Sequence, residues 1–240
     1  GMTVDLEKIT KEVRNVTPDC IIIVDGIQHS SHGAIDVQKY DIDGYVVSPY
    51  KMFSRHGYGV AWASDRLCTL NKEQLADGPF QNWELGTRDA GSYATFSDVV
   101  DYLDWLGSNF TESENTRERL EASSIAIKSH EQELVDLVIN GAEDIVGLRN
   151  NKKIRIIGNP ASTSREGVVS FFHKNKPSSI IVEELRQRKI RVHIRKDDHY
   201  CGNILRPLNQ KDCIRFSICH YNSKAEVVEF MKAINEISTN

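Results

Sequence analysis

The chain has 240 residues, 40% of them hydrophobic and 27% charged, so it can bury one large core or two smaller ones. Its net charge is −4, and lysines and glutamates alternate without forming a basic stripe, which argues against a nucleic-acid partner. The five cysteines, at 20, 68, 201, 213 and 219, include no CxxC pair, and no apolar run is long enough to cross a bilayer, so a cytoplasmic protein with reduced thiols and no membrane partner is expected.

Gly1 ahead of Met2 reads as a residue left by tag removal and is set aside. Leu6, Ile9 and Val13 recur at helical spacing and predict a helix over 4–16, after which Thr17-Pro18-Asp19 turns the chain. Two apolar runs follow, Cys20 to Val24 ending at Asp25 and Gly44 to Val47 ending at Ser48-Pro49-Tyr50-Lys51. Both read as buried, neighbouring strands of a parallel sheet covered by helices, and such sheets bind ligands at the carboxyl ends of their strands. A carboxylate and an amine are thereby expected in one crevice. That pairing suits a pyridoxal phosphate enzyme, in which a lysine holds the cofactor covalently and an acid keeps its pyridine nitrogen protonated. The run Gly57 to Ala63 follows after a short link and reads as an antiparallel neighbour, making the sheet mixed.

Residues 71–91 are irregular, with Gly78-Pro79 and Gly86-Thr87 as breakers, and 96–106 reads as an amphipathic helix. The stretch 114–146 is proline-free with one glycine, Gly141, and reads as one long helix or two. Short alternating units then begin: strands over 154–157, 168–172, 191–194 and 213–219, and helices over 178–188 and 224–237. A division is expected into residues 1–147, part of a large domain with its connecting helix, and residues 148–240, a small α/β domain. His29, His32, Cys213, Cys219 and His220 match no compact zinc spacing, so no metal site is expected.

Val24-Asp25-Gly26-Ile27-Gln28 followed by Ser48-Pro49-Tyr50-Lys51 resembles the cofactor signature of class V pyridoxal phosphate enzymes, the group that contains cysteine desulfurases and related aminotransferases. His32 to Val37, Gly57-Tyr58-Gly59, Gly86-Thr87 and Cys213 to Ser217 with His220-Tyr221-Asn222 resemble further family blocks in family order. The resemblance implies a fold type I architecture, here a partial large domain with a mixed, mostly parallel sheet plus a small C-terminal α/β domain.

By position, the resemblance makes Lys51 the lysine that carries pyridoxal 5'-phosphate and shuttles the substrate Cα proton. Asp25 becomes the partner of the pyridine nitrogen, and Gln28 the donor to the phenolic oxygen. Ser48 and Tyr50 become phosphate contacts, although desulfurases more often have histidine at the second position. Thr87 resembles the threonine that reaches the phosphate of the partner subunit, and Arg215 the arginine that grips the substrate α-carboxylate. Cys201 lies in a loop upstream of Arg215, as the desulfurase nucleophile does, but its neighbours do not reproduce the desulfurase motif. A catalytic thiol and an ordinary loop thiol both remain open for it.

Family members have a substantial segment before the helix and strand that deliver the aspartate, and the chain is expected to be a C-terminal fragment without it, inactive alone. Its expected substrate is an amino acid and its expected assembly a homodimer or higher homo-oligomer. The alternative is a non-catalytic domain that uses the same fold for protein assembly.

Overall fold

The structure, a computed structural model, describes residues 1–78, 83–87, 89–160, 163 and 165–239. Backbone contacts divide the chain into two compact units, residues 4–126 and residues 127–240 joined by Gly1–Thr3.

In the first unit, helix α1 (Leu6–Val16) starts where the Asp5 carboxylate accepts the Lys8 N–H at 3.0 Å, an N-cap that satisfies one of the open donors of the first turn. Strands β1 (Ile23–Asp25) and β2 (Gly44–Val47) pair in parallel, with Asp25 opposite Val46. Strand β3 (Val60–Ala63) pairs antiparallel with β2, giving a three-stranded sheet in the order β1-β2-β3. The mixed sheet expected from the sequence is therefore present. Its two strands of most interest differ in burial: β2 is enclosed, with Tyr45 and Val47 each 8% exposed, whereas Ile23 of β1 is 57% exposed. The expectation that both strands are buried fails for β1 because it is an edge strand, and among the described residues no strand pairs with its outer side.

The one-turn helix α2 (Asp65–Cys68) follows β3, and α3 (Ala90–Gly107) begins earlier than the sequence suggested. The Asp89 carboxylate caps α3 by accepting the Gly91 and Ser92 N–H groups at 3.0 and 3.3 Å. Val99 of α3 packs with Ile42, Tyr45, Val47 and Met52 to form this unit's core. A charged hub braces it from one side. Asp43, just before β2 and 4% exposed at its side chain, takes the Arg14 guanidinium at 2.8 Å, Arg66 at 3.5 Å and the Ile22 N–H at 2.8 Å.

Helix α4 (Thr116–Asn140) contains the boundary between the units. It stops at Gly141, whose φ of +84° lies in the left-handed region that favours glycine, and Gly141–Ala142 and Ile145–Val146 form a two-residue hairpin, β4 and β5. The reading of helix through to residue 146 is corrected here.

The second unit holds an antiparallel sheet in the order β6-β7-β9-β8, made of β6 (Ile154–Ile156), β7 (Val168–His173), β8 (His193–Lys196) and β9 (Asp212–Ser217). Alternation sends Val169, Phe171, Ile214 and Phe216 to one face. There they pack against α5 (Ser178–Gln187) through Ile181 and Leu185, and against α7 (Lys224–Thr239) through Phe230, Met231 and Ile234. The Phe216 and Phe230 rings stack at 4.1 Å. Phe172 and Cys213 lie on the other face, where the one-turn helix α6 (Gly202–Leu205) brings Leu205 against them.

Candidate functional site

Because β1 and β2 are parallel, their carboxyl ends reach the same edge of the sheet, and Asp25 and the turn carrying Lys51 emerge there. The Gly26 N–H continues the ladder by donating to the Val46 carbonyl at 3.0 Å. The chain then folds tightly, with the Asp25 carboxylate accepting the Ile27 N–H at 3.1 Å and a single 3-10 turn following over His29–Ser31. A side chain at Gly26 would place its Cβ 2.1 Å from the buried Tyr45 ring, so the turn and the ring pack too closely for a larger residue unless one of them shifts.

After β2, Ser48 leads into a 3-10 turn over Pro49–Met52, with the Lys51 N–H donating to the Ser48 carbonyl at 2.9 Å. The Lys51 amine donates to the Gln28 Oε1 at 3.4 Å, which brings together the two turns that follow the parallel strands. Tyr50 stacks on His56 at 4.2 Å with the rings 18° apart, and the Lys51 Nζ lies 5.9 Å from the Tyr50 ring centroid. Asp25 and Gln28 are exposed, Lys51 is half-buried, and Tyr50 is 41% exposed.

A cleft of ≈ 370 Å³ opens beside these turns' continuation, lined by Gly57, Tyr58 and Gly59, by Glu84 to Thr87, and by the start of α3. Thr87 therefore shares a cleft with the loop that follows the Lys51 turn in its own chain. Hydroxyl groups knit the adjoining wall: Ser54 Oγ lies 2.6 Å from the Tyr58 hydroxyl and 2.9 Å from Thr95 Oγ1. The stacked His56 and the Ser54–Tyr58–Thr95 chain were not singled out from sequence. Of these residues only Tyr58 fell within a run, Gly57-Tyr58-Gly59, that the sequence resemblance had marked.

The remaining two candidates lie in the second unit. Cys201 precedes α6 in a turn fastened by Asp198, whose Oδ1 accepts the Tyr200 and Cys201 N–H groups at 2.9 Å each. It is half-buried against the Phe172–Leu205–Cys213 cluster. Burial pushes the thiol of neighbouring Cys213 up to about 11, so that sulfur stays protonated and unreactive at neutral pH. Arg215 sits on β9, opposite Ser170 of β7 and His193 of β8. Its Nε is buried and, among the described residues, has no hydrogen-bond partner. Burial, with nearby Arg195 adding to it, lowers the guanidinium pKa. A desolvated cation of this kind is suited to binding an anion.

The donor set at the β1–β2 edge, an amine, a carboxylate, an amide and serine and tyrosine hydroxyls, fits pyridoxal phosphate. The amine can bond its aldehyde carbon, the carboxylate can pair with its ring nitrogen, and the hydroxyls can donate to phosphate oxygens. Among the described residues no helix is long and apolar enough to cross a membrane.

A cysteine desulfurase of Synechococcus elongatus is 27% identical over 237 residues, a match covering 91% of this chain and 33% of that protein. An aminotransferase-like protein of Gibberella zeae is 26% identical over 244 residues, covering 98% of this chain and 56% of that protein. The solved structure of the cysteine desulfurase from Thermococcus onnurineus superposes with a TM-score of 0.75 at 20% identity, covering all of this chain and 57% of that one, which shows a shared fold. The chain thus spans between a third and somewhat over half the length of these relatives. The aminotransferase class-V model matches residues 1–230, and the chain belongs to that family.

Proposed function

We propose that this chain carries the lysine-bearing part of a pyridoxal phosphate site acting on an amino acid, in cysteine desulfurase-like or aminotransferase-like chemistry. The observation that carries the reading is the contact between the Lys51 amine and the Gln28 side chain at the shared carboxyl ends of β1 and β2. Pyridoxal phosphate, when bound, supplies an electron sink for carbanion character at the substrate Cα. Lys51 holds the cofactor and moves the Cα proton. Asp25 keeps a proton on the ring nitrogen, Gln28 donates its amide to the phenolic oxygen, Ser48 and Tyr50 donate to the phosphate, and Thr87 donates to the phosphate held by the partner subunit. Arg215 takes the substrate α-carboxylate in a planar two-pronged contact that lysine cannot copy. Cys201 is the candidate thiol nucleophile for the desulfurase branch, half-buried in a turn whose backbone N–H donates to Asp198.

The proposal extends to organisation. Residues 1–147 form part of a large domain and residues 148–240 a small one, in a cytoplasmic homodimer or higher homo-oligomer. The 240-residue chain alone lacks turnover, because preorganised contacts on every side of a reacting centre are needed for rate, and Asp25 and Gln28 are open to solvent here. The exposed edge of β1, with Ile23 57% exposed, favours one second reading, a domain used for protein assembly through that edge.

The test is absorbance titration of the purified chain with pyridoxal phosphate, set beside the Lys51→Ala variant. Saturable visible absorbance that requires Lys51 is expected. A chain that gives the same curve without Lys51, or none at any concentration, supports the assembly reading instead.

A further inference from the structure

The face of the second unit's sheet that turns away from α5 and α7 carries an unbalanced set of cations. The register puts His193 directly opposite Arg215, and Arg195 opposite Cys213, so all three lie on that face. Ser170 flanks Arg215 from β7. Like charges in adjoining positions of a sheet destabilise it, yet among the described residues no carboxylate forms an ion pair with Arg195 or Arg215. The acids around the rim are largely committed elsewhere. Asp197 pairs with Arg206 at 2.8 Å, and Asp198 spends its Oδ1 on the Cys201 and Tyr200 N–H groups, with Arg195 near enough to help hold its carboxyl below the usual range but not in an ion pair with it. Asp212 lies on the opposite face, where its Oδ1 accepts the Ser178 N–H at 3.3 Å. Arg155, on the same face as Arg215, is occupied over the Phe172 ring at 5.9 Å. Arg195, half-buried, and Arg215, with its unpartnered Nε, remain. Burial, Arg215, Arg191 and Arg195 all favour the neutral form of His193, so the imidazole offers a hydrogen bond without adding a third charge.

One α-carboxylate neutralises only one of these guanidinium groups. We infer that this face binds an amino acid with a second anionic group on its side chain, Arg215 taking the α-carboxylate and Arg195, beside His193, taking the side-chain anion. The inference rests on the reading of Arg215 given above and adds the substrate class. Every residue it uses belongs to one compact unit.

The experiment is an NMR chemical-shift titration of the full chain with L-aspartate and with L-asparagine at about 0.15 M ionic strength. Wild type, Arg195→Gln and Arg215→Gln are compared. A charge-assisted two-pronged contact should favour aspartate by about tenfold or more in wild type. Arg195→Gln should bring that ratio close to one, whereas Arg215→Gln should weaken both ligands together. The spectra report whether each variant is folded, and Arg195→Lys or Arg215→Lys, which keeps the charge but not the fork, replaces the corresponding Gln variant where that one is not. Equal affinities in wild type with both ligands weakened by Arg215→Gln would overturn the second subsite and leave the Arg215 reading standing. Binding that ignores Arg215→Gln, or no saturation with aspartate at all, would remove both.

Discussion

The Lys51 amine and the Gln28 side-chain carbonyl, on turns that leave two parallel strands at the same end, lie 3.4 Å apart. The contact draws the amine toward the Gln28 turn before any ligand arrives. Gln28→Ala should therefore lower the affinity of the chain for pyridoxal phosphate by about tenfold, the scale of one hydrogen bond to a charged group. Absorbance titration checks it, and an unchanged curve would remove Gln28 from the site.

Gly26 tests the turn itself. Its added Cβ would meet the Tyr45 ring at 2.1 Å, so Gly26→Ala forces either Tyr45 or the Asp25–Gln28 turn to move. Overpacking of this kind costs about 1–3 kcal/mol. Urea unfolding should show that loss, together with a fall in cofactor affinity.

Asp43 is the electrostatic anchor of the first unit. Its carboxyl is held below its usual range: burial opposes this, but the Ile22 N–H, Arg14 and Arg66 outweigh burial. A depressed carboxyl pKa contributes stability above its unfolded value of about 4 and loses it as pH falls through the folded value. Asp43→Asn should cost about 3 kcal/mol at pH 7, the lower end for removing one partner of a buried pair. Its stability should then change less than wild type between pH 5 and about 3, measured by denaturant midpoints.

His173, at the end of β7, accepts the Asn175 and Lys176 N–H groups on Nδ1 at 3.1 and 2.8 Å, which requires an unprotonated ring nitrogen. Burial, then Lys153 and Lys176, lower its pKa. The folded state therefore binds fewer protons than the unfolded one below about pH 6.5, and this contribution to stability, complete above that pH, declines as pH falls. His173→Asn, whose side-chain oxygen can accept the same N–H groups, should flatten the decline between about pH 6.5 and 5. A slope identical to wild type would show that His173 does not titrate in folding.

The parallel pair of strands and the placement of Lys51 just past the second were legible because Cys20 to Val24 and Gly44 to Val47 are apolar runs bounded by turn residues. The burial of the first run was misjudged, since an apolar pattern does not report whether anything covers it. Ile23 is open on an edge strand. The hairpin after α4 escaped because two-residue strands are too short to show alternation, although Gly141 marked the break. Arg191, His193 and Arg195 alternate visibly in the sequence, but only the register with β9 sets His193 opposite Arg215. Pairing across strands is set by tertiary packing, and the cationic face could not be read without it. The Asp43 hub was invisible for the same reason: its partners Arg14 and Arg66 come from two different helices.

The most direct test of the central claim is borohydride fixation of pyridoxal phosphate to the purified chain, followed by peptide mass spectrometry. The account predicts a single dominant reduced adduct, on the peptide carrying Lys51, that is lost in Lys51→Ala and weakened in Gln28→Ala. An adduct centred on another lysine, or spread evenly over surface lysines with Lys51 no more labelled than the rest, would contradict it.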